Sequence, residues 1–371
     1  MALSKIDTTN MIEDVPQSKL DNNINFRNII INGDMSIAQR STSETNVSTG
    51  YRTCDRWRIS RGAGQITMSQ DTDVPTGQGF AKSLKFLEAS TGANPGASDV
   101  NLITQRIEGQ NLQYLLKGTS SAKSLTLSFW IKASVTGTYI AHLTDDDNSR
   151  FISKAYTVSS ANTWEYKTVT FPPDTTGAFA NDNGRSLDVE LYFGAGSNFT
   201  SGTLNTTWNS YTAANQAVGQ VNALASANDY VQFTGIQLEA GTTASDFEFL
   251  PHDVNLGRCQ RYFYMHANTN ADEIGIGGYY SSSQIFCDFQ FPVSMRTTPS
   301  VYITTGTNYF RIFRNGAIDS FNSLTFGAGN VNMFSLYNNT EVSGTAGHAG
   351  FVRPENSSAV IGADAELWLT Q

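Results

Sequence analysis

Cysteine is scarce: Cys54, Cys259 and Cys287 are the only three in 371 residues. Their odd number and wide spacing exclude a disulfide framework and offer no paired-cysteine metal site, so they read as small buried hydrophobes. The four histidines, His142, His252, His266 and His348, have no partner at metal-ligand or triad spacing. Basic residues are outnumbered, 24 against 33 acidic ones, for a net charge of -9. Such a surface repels polyanions, so neither nucleic acid nor an anionic membrane is an expected partner. No apolar run reaches the length of a membrane span, which argues against membrane insertion, and the start MALSKIDTTN lacks the basic-then-apolar order of a secretory signal. Assembly in a cytosol is the expectation.

What the chain does have is alternation. In Ser124 to Ala133 the residues Leu125, Leu127, Phe129 and Ile131 alternate with Thr126, Ser128, Trp130 and Lys132, the pattern of a strand with one buried face. The period returns at Tyr139 to Leu143 and at Leu187 to Phe193. Glycine is plentiful at 31, and Ser, Thr and Asn separate the short apolar runs, as in many strands joined by turns. The fold class expected is all-β, with antiparallel sheets packed as a sandwich. The length suits two domains.

Residues 1–26 scatter single apolar side chains among polar and acidic ones, too thinly to fold alone. They read either as an extended anchor or oligomerisation segment or as a disordered tail. The body then opens with NIIINGDM, a strand stopped at Asn32-Gly33. In GYRTCDRWRIS, Trp57 is expected to pack while the arginines pair with carboxylates. Gln110 to Lys117 has helical spacing, ended by Gly118. Residues 194–229 form a nearly uncharged excursion whose Phe199, Trp208 and Tyr211 either present a sugar-stacking or subunit-contacting surface or pin the excursion onto the sandwich. In YVQFTGIQLEAG the apolar phase slips at Gly235, which predicts a bulge that keeps Val231, Phe233, Ile236 and Leu238 in one core. Beyond Pro251, Asp253 is placed to cap a short helix through about Cys259, and Arg314-Asn315-Gly316 marks a hairpin in a second set of strands.

Catalytic signals are thin. Asp145, Asp146 and Asp147 lack the alternate-residue pattern of a calcium loop and read as a hairpin tip. Gly275 to Gly278 does not open a helix after a strand, so it is no phosphate cradle. Asp188 and Glu190 share a strand face about 7 Å apart, a separation that does not exclude glycan hydrolysis, yet polar strand faces carry acids routinely. No enzyme is expected. Binding suits the same residues better: Trp130, His142, Asp188, Glu190 and Tyr192 hold the outward parity of their strands, and rings beside carboxylates suit a sugar. With Trp208 they are the candidate glycan-binding residues. The competing reading is that the 194–229 excursion or another subunit covers Trp130 and Tyr192.

The succession GDMSIAQR, CDRW, TQRIEG, SLTLSFWIKAS, NTWEYKTVTF and GIQLEAGTTASDFEFLPHDVNLGRCQRYFY resembles a family of phage virion proteins, the tail-fibre and tailspike-like chains, over about residues 27 to 265. The resemblance implies a central jelly roll like a carbohydrate-binding module, an extracellular virion appendage and a homotrimer. It leaves a structural calcium open and implies no other cofactor. The expected organisation is an N-terminal segment at 1–26 that meets other tail or capsid proteins, a jelly roll at 27–251 and a smaller β-sandwich at 252–371. Three functions follow: a tail fibre that recognises a host-surface polysaccharide, a purely architectural virion component, or a glycan-degrading tailspike. The first is preferred.

Overall fold

The computed structural model describes residues 26–269 and 272–366. The anchor expected over residues 1–26 lies, except for Phe26, outside the described residues. Two antiparallel sheets form the first body. The front sheet has six strands in the order Ser43–Glu44, Ile66–Asp71, Ser83–Glu88, Tyr230–Ala240, Leu125–Ala133 and Glu165–Phe171. The back sheet has seven, in the order Asn209–Ser210, Arg150–Val158, Gly137–Asp145, Arg185–Ala195, Val100–Glu108, Arg58–Arg61 and Gly50–Tyr51.

Alternation decides what faces inward. Leu125, Leu127, Phe129 and Ile131 from the front sheet meet Leu187, Val189, Leu191 and Phe193 from the back sheet in one continuous core. Rings cross the interface, with Phe86 stacked on Phe193 at 5.0 Å and Phe129 edge-on to Tyr156 at 5.1 Å. Each fully buried large apolar side chain contributes about 1.5 to 3 kcal/mol. Trp57 is buried in this core. The phase slip in Tyr230–Ala240 is a bulge: the register against Leu125–Ala133 shifts between Thr234 and Gln237, and Val231, Phe233, Ile236 and Leu238 all reach the core.

The helix expected at Gln110 to Lys117 is instead two 3-10 turns, Gly109–Asn111 and Gln113–Leu115. Leu116 ends them in the left-handed region at φ 53°, so the helical spacing there reflects the burial of Leu112 and Leu115. Asp253 sits in the first turn of the helix His252–Gln260, not at its cap, which Pro251 occupies. A second, smaller sandwich follows. Its three-stranded sheet runs Phe263–Ala267, Ile361–Asp364, Ser300–Ile303. Its seven-stranded sheet runs Ala317–Phe321, Phe310–Arg314, Ala349–Pro354, Gly275–Ser281, Gln284–Gln290, Met333–Asn338, Thr325–Gly329, and a separate core lies between the two. Asn315 and Gly316 turn the expected hairpin at φ 42° and 70°.

A buried ionic cluster ties the two bodies together. Arg56, on the first, lies 3.4 Å above the Tyr262 ring and hydrogen-bonds the Glu366 carboxylate. Arg40 reaches Asp364 at 3.0 Å and Glu366 at 3.7 Å while stacking over Phe263 at 3.6 Å. Removing one partner strands a buried charge. Glu366→Ala is expected to cost about 3 to 5 kcal/mol in urea unfolding. Lys167→Ala, which breaks the Lys167 to Glu165 pair on the edge strand of the front sheet, should cost at most about 1 kcal/mol.

Candidate functional site

If Phe129 and Ile131 point into the core, Trp130 and Lys132 must point out, and the outer face of the front sheet is where the structure makes a groove. Tyr166 is the cross-strand partner of Trp130, and their rings lie 5.4 Å apart at 48°. Facing them, Phe80, Phe247 and Phe249 form a triangle with centroid separations of 5.1, 5.1 and 4.8 Å. The groove between is about 890 Å³. Aromatic rings line it together with the hydroxyls of Thr168, Thr242 and Thr243 and the Asp246 carboxylate. Tyr166 is 45% exposed and Phe249 51%, so both offer ring surface to solvent.

Two connections wall this groove. Residues 72–82 bring Phe80 over the sheet at the bulge, where Gly235 has φ 61° and a Cβ would come within 2.5 Å of the Phe80 ring. Residues 241–250 bring Phe247 and Phe249, fixed by Glu248, whose carboxylate accepts from the Phe26 and Asn28 amides while its own amide donates to Gln237 Oε1. Beyond Trp130, Lys132 pairs with Asp73 at 2.6 Å, and Trp164 Nε1 donates to the same carboxylate at 3.0 Å. Those contacts hold Asp73 below the usual carboxylate range even though partial burial opposes them.

The six residues singled out in the sequence do not converge. Trp130 lines the front groove. His142, Asp188, Glu190 and Tyr192 share the outer face of the back sheet, with Glu190 opposite both His142 and Thr104. That face is covered: His142, Asp188 and Tyr192 are at most 2% exposed, and the 194–229 excursion packs Ala217 and Phe199 against Tyr192. His142 hydrogen-bonds Ser153 and Thr144 at 2.8 and 2.9 Å, and Ser153 donates to the Gln216 carbonyl. These three therefore cannot meet a polysaccharide, and Glu190 is only 16% exposed. Trp208 is in a third place, packed on the core edge with its Nε1 donating to the Pro172 carbonyl at 2.9 Å. Phe80, Tyr166, Phe247 and Phe249 escaped the sequence reading. Tyr166 carried the same outward parity as Trp130, whereas the two phenylalanines alternate in DFEFL without forming a strand.

Asp145 pairs with Lys117 at 2.5 Å, so its turn is tied down by an ammonium. Among the described residues, no group of three or more His, Cys, Asp or Glu is placed to hold a metal. A second concavity, of about 560 Å³, lies beside the helix His252–Gln260 and is lined by Arg56, Arg258 and Arg261. Two of these arginines are already paired, with Glu366 and Glu108 respectively.

No family model matches the chain. No curated protein matches it either. Similar solved structures include the enzymatically active domain of bacteriophage CBA120 tailspike protein 4, at 13% identity and a TM-score of 0.35 over 58% of this chain. The match spans only 21% of that tailspike chain. TmCBM61 in complex with β-1,4-galactotriose is similar over 58% of this chain and 99% of its own, at 10% identity and a TM-score of 0.30. The family 11 carbohydrate-binding module from Clostridium thermocellum, in complex with a β-1,3-1,4-mixed-linked tetrasaccharide, is similar over 54% and 98%, at 10% identity and a TM-score of 0.27.

The back-sheet polar row sets a pH dependence. Burial, and then the Asp188 charge, push Glu190 up from 4.5 to about 8, and burial lowers His142 from 6.5 to about 3. Between pH 4.5 and 6.5 the two offset: the folded chain keeps the Glu190 proton, and the unfolded chain gains one on His142. From pH 6.5 to about 8 only the Glu190 proton differs, so stability falls as pH rises, by on the order of 2 kcal/mol. Melting curves should show that loss in the wild type and a much flatter profile in Glu190→Gln. At the groove, Gly235→Ala is expected to cost about 1 to 3 kcal/mol by chemical denaturation, because the added methyl meets both positive φ and the Phe80 ring.

Proposed function

We propose that the outer face of the front sheet binds a carbohydrate, with Trp130 and Tyr166 as the stacking platform. The observation that carries this reading is their cross-strand pairing on the floor of an open groove whose far wall is three phenylalanines. A pyranose presents a C–H face that packs on a ring and an edge of hydroxyls that needs hydrogen-bond partners, and the groove offers rings flanked by threonine hydroxyls and one carboxylate. The volume of about 890 Å³ and the open sides of the groove suit a chain of sugars. The excess of acidic over basic residues favours a neutral or cationic polysaccharide over a strongly anionic one.

The biological setting we infer is a phage tail appendage that displays this groove to a host-surface polysaccharide and joins the particle through its N-terminal segment. Its support is the sequence resemblance to tail-fibre and tailspike-like chains. Binding without turnover is the expected chemistry. Asp188 is committed to Arg185 at 2.6 Å, and the neighbouring Glu190 faces the covered back side.

A glycan array with intact protein tests the site. Trp130→Ala and Tyr166→Ala should each weaken binding roughly tenfold or more, the loss of one stacking contact and its buried area. Trp208→Ala should leave affinity unchanged. Loss confined to Trp208→Ala would move the site to the 194–229 excursion. Absence of any bound glycan would favour the architectural reading, and release of reducing sugar from a bound polysaccharide would favour the tailspike.

A further inference from the structure

The concavity beside the helix His252–Gln260 shares no lining residue with the front groove. Its volume of about 560 Å³ falls within the roughly 300 to 1,000 Å³ of small-molecule sites. The strand Val100–Glu108 contributes Arg106 and Ile107 to its wall, and the 3-10 turns that follow contribute Asn111 and Tyr114. Arg258 comes from the helix and Arg261 from its C-terminal cap. Helical residues three apart share a face, so these two arginines arrive at the cavity together.

Charge singles out one of them. Four arginines line the cavity, and three have a carboxylate each: Arg56 has Glu366, Arg106 has Asp188 at 3.6 Å, and Arg261 has Glu108 at 2.7 Å. Arg258 forms no ion pair among the described residues. Its Nη2 donates to the Asn28 carbonyl at a long 3.4 Å, and its guanidinium lies 5.9 Å from the centre of the Phe26 ring. The Glu248 carboxylate that acts on Arg258 from farther off is taken by the Phe26 and Asn28 amides. Burial lowers the Arg258 pKa, as it does for a cation drawn out of water without a counter-ion. Arg56 adds a second unmet demand, because its Nε is buried without a hydrogen-bond partner.

One uncompensated cation calls for a monoanion, and the rest of the wall decides which. Phosphate and sulfate are met by several cations or by a run of backbone amides, and here a single arginine is in excess. The Asn111 amide and the Tyr114 hydroxyl line the cavity without a partner among the described residues, and Tyr114 is 40% exposed. Such groups match hydroxyls, and the Phe26 and Tyr114 rings match a C–H face. A guanidinium takes a carboxylate through two parallel hydrogen bonds. We propose that this cavity binds a hexuronic acid, a sugar carboxylate, through Arg258. The site stands apart from the front groove and does not depend on what that groove binds.

Ligand-observed NMR titration of the full chain tests it, with sodium D-glucuronate, D-glucuronamide and inorganic phosphate as probes. Glucuronate should bind saturably. The amide has the same shape without the charge, and phosphate has charge without the ring, so each should bind at least tenfold more weakly. Arg258→Gln should weaken glucuronate roughly tenfold or more without lowering the melting temperature, since it removes a charge that has no partner ion. Tyr114→Phe deletes one exposed hydroxyl and should weaken glucuronate severalfold in a folded protein. Because neither residue lines the front groove, their effects locate the ligand in this cavity whatever the groove binds. Absence of saturable glucuronate binding, equal affinity for phosphate or the amide, or an affinity that Arg258→Gln leaves unchanged would overturn the proposal.

Discussion

Everything about this chain depends on two sheets packing face to face, since that contact fixes which side of every strand meets water. Once Phe129 and Ile131 are committed to the core, Trp130 is committed outward, and its neighbour across the ladder, Tyr166, is brought beside it without any further instruction. A one-residue slip in either strand would exchange groove and core, so the core stabilises the site's geometry as well as the fold. The bulge at Gly235 belongs to the same constraint. It lets Tyr230–Ala240 keep four apolar residues inward across a phase change, and it opens the space that Phe80 fills in the groove wall.

The two outer faces of the first sandwich have opposite fates because the connections differ. The back sheet is roofed by a long excursion of small polar residues, whose Gln216 supplies a carbonyl to Ser153. Below it His142 behaves as an interior group and stays neutral, and further along the same face Asp188 is buried by pairing with Arg185 and Arg106. The front sheet is only edged, by residues 72–82 and 241–250, and its rings stay open. Composition is a poor guide to this difference, since both faces carry aromatic and polar residues.

How far the sequence could be read follows from that. Period two is a local property, and it revealed the strands, the inward sets and the bulge at Gly235, while turn chemistry, equally local, marked the Asn315-Gly316 hairpin. It also identified Trp130 as outward. Strand neighbours are a non-local property, and without them residues of equal parity on different sheets look alike. Trp130 and Glu190 were thus grouped although the sandwich core separates them, and Tyr166 was passed over although one hydrogen-bonded ladder joins it to Trp130. Phe247 and Phe249 were illegible for another reason: they act from an irregular segment held by Glu248 and Gln237, and side-chain hydrogen bonds of that kind have no sequence period.

The junction between the bodies shows why a sandwich of this kind behaves as a platform and not as beads on a string. Arg56 and Arg40 are carried by the first body, but their carboxylate partners Asp364 and Glu366 come from the last described residues of the second. A buried pair across a boundary adds little net stability against an apolar alternative. It does make separation expensive, because parting the bodies would have to rehydrate both charges or leave them bare. Tyr262 reinforces the lock: its hydroxyl hydrogen-bonds Glu108 in the back sheet while its ring lies under the Arg56 guanidinium. The front groove is therefore held in one fixed relation to the C-terminal sandwich.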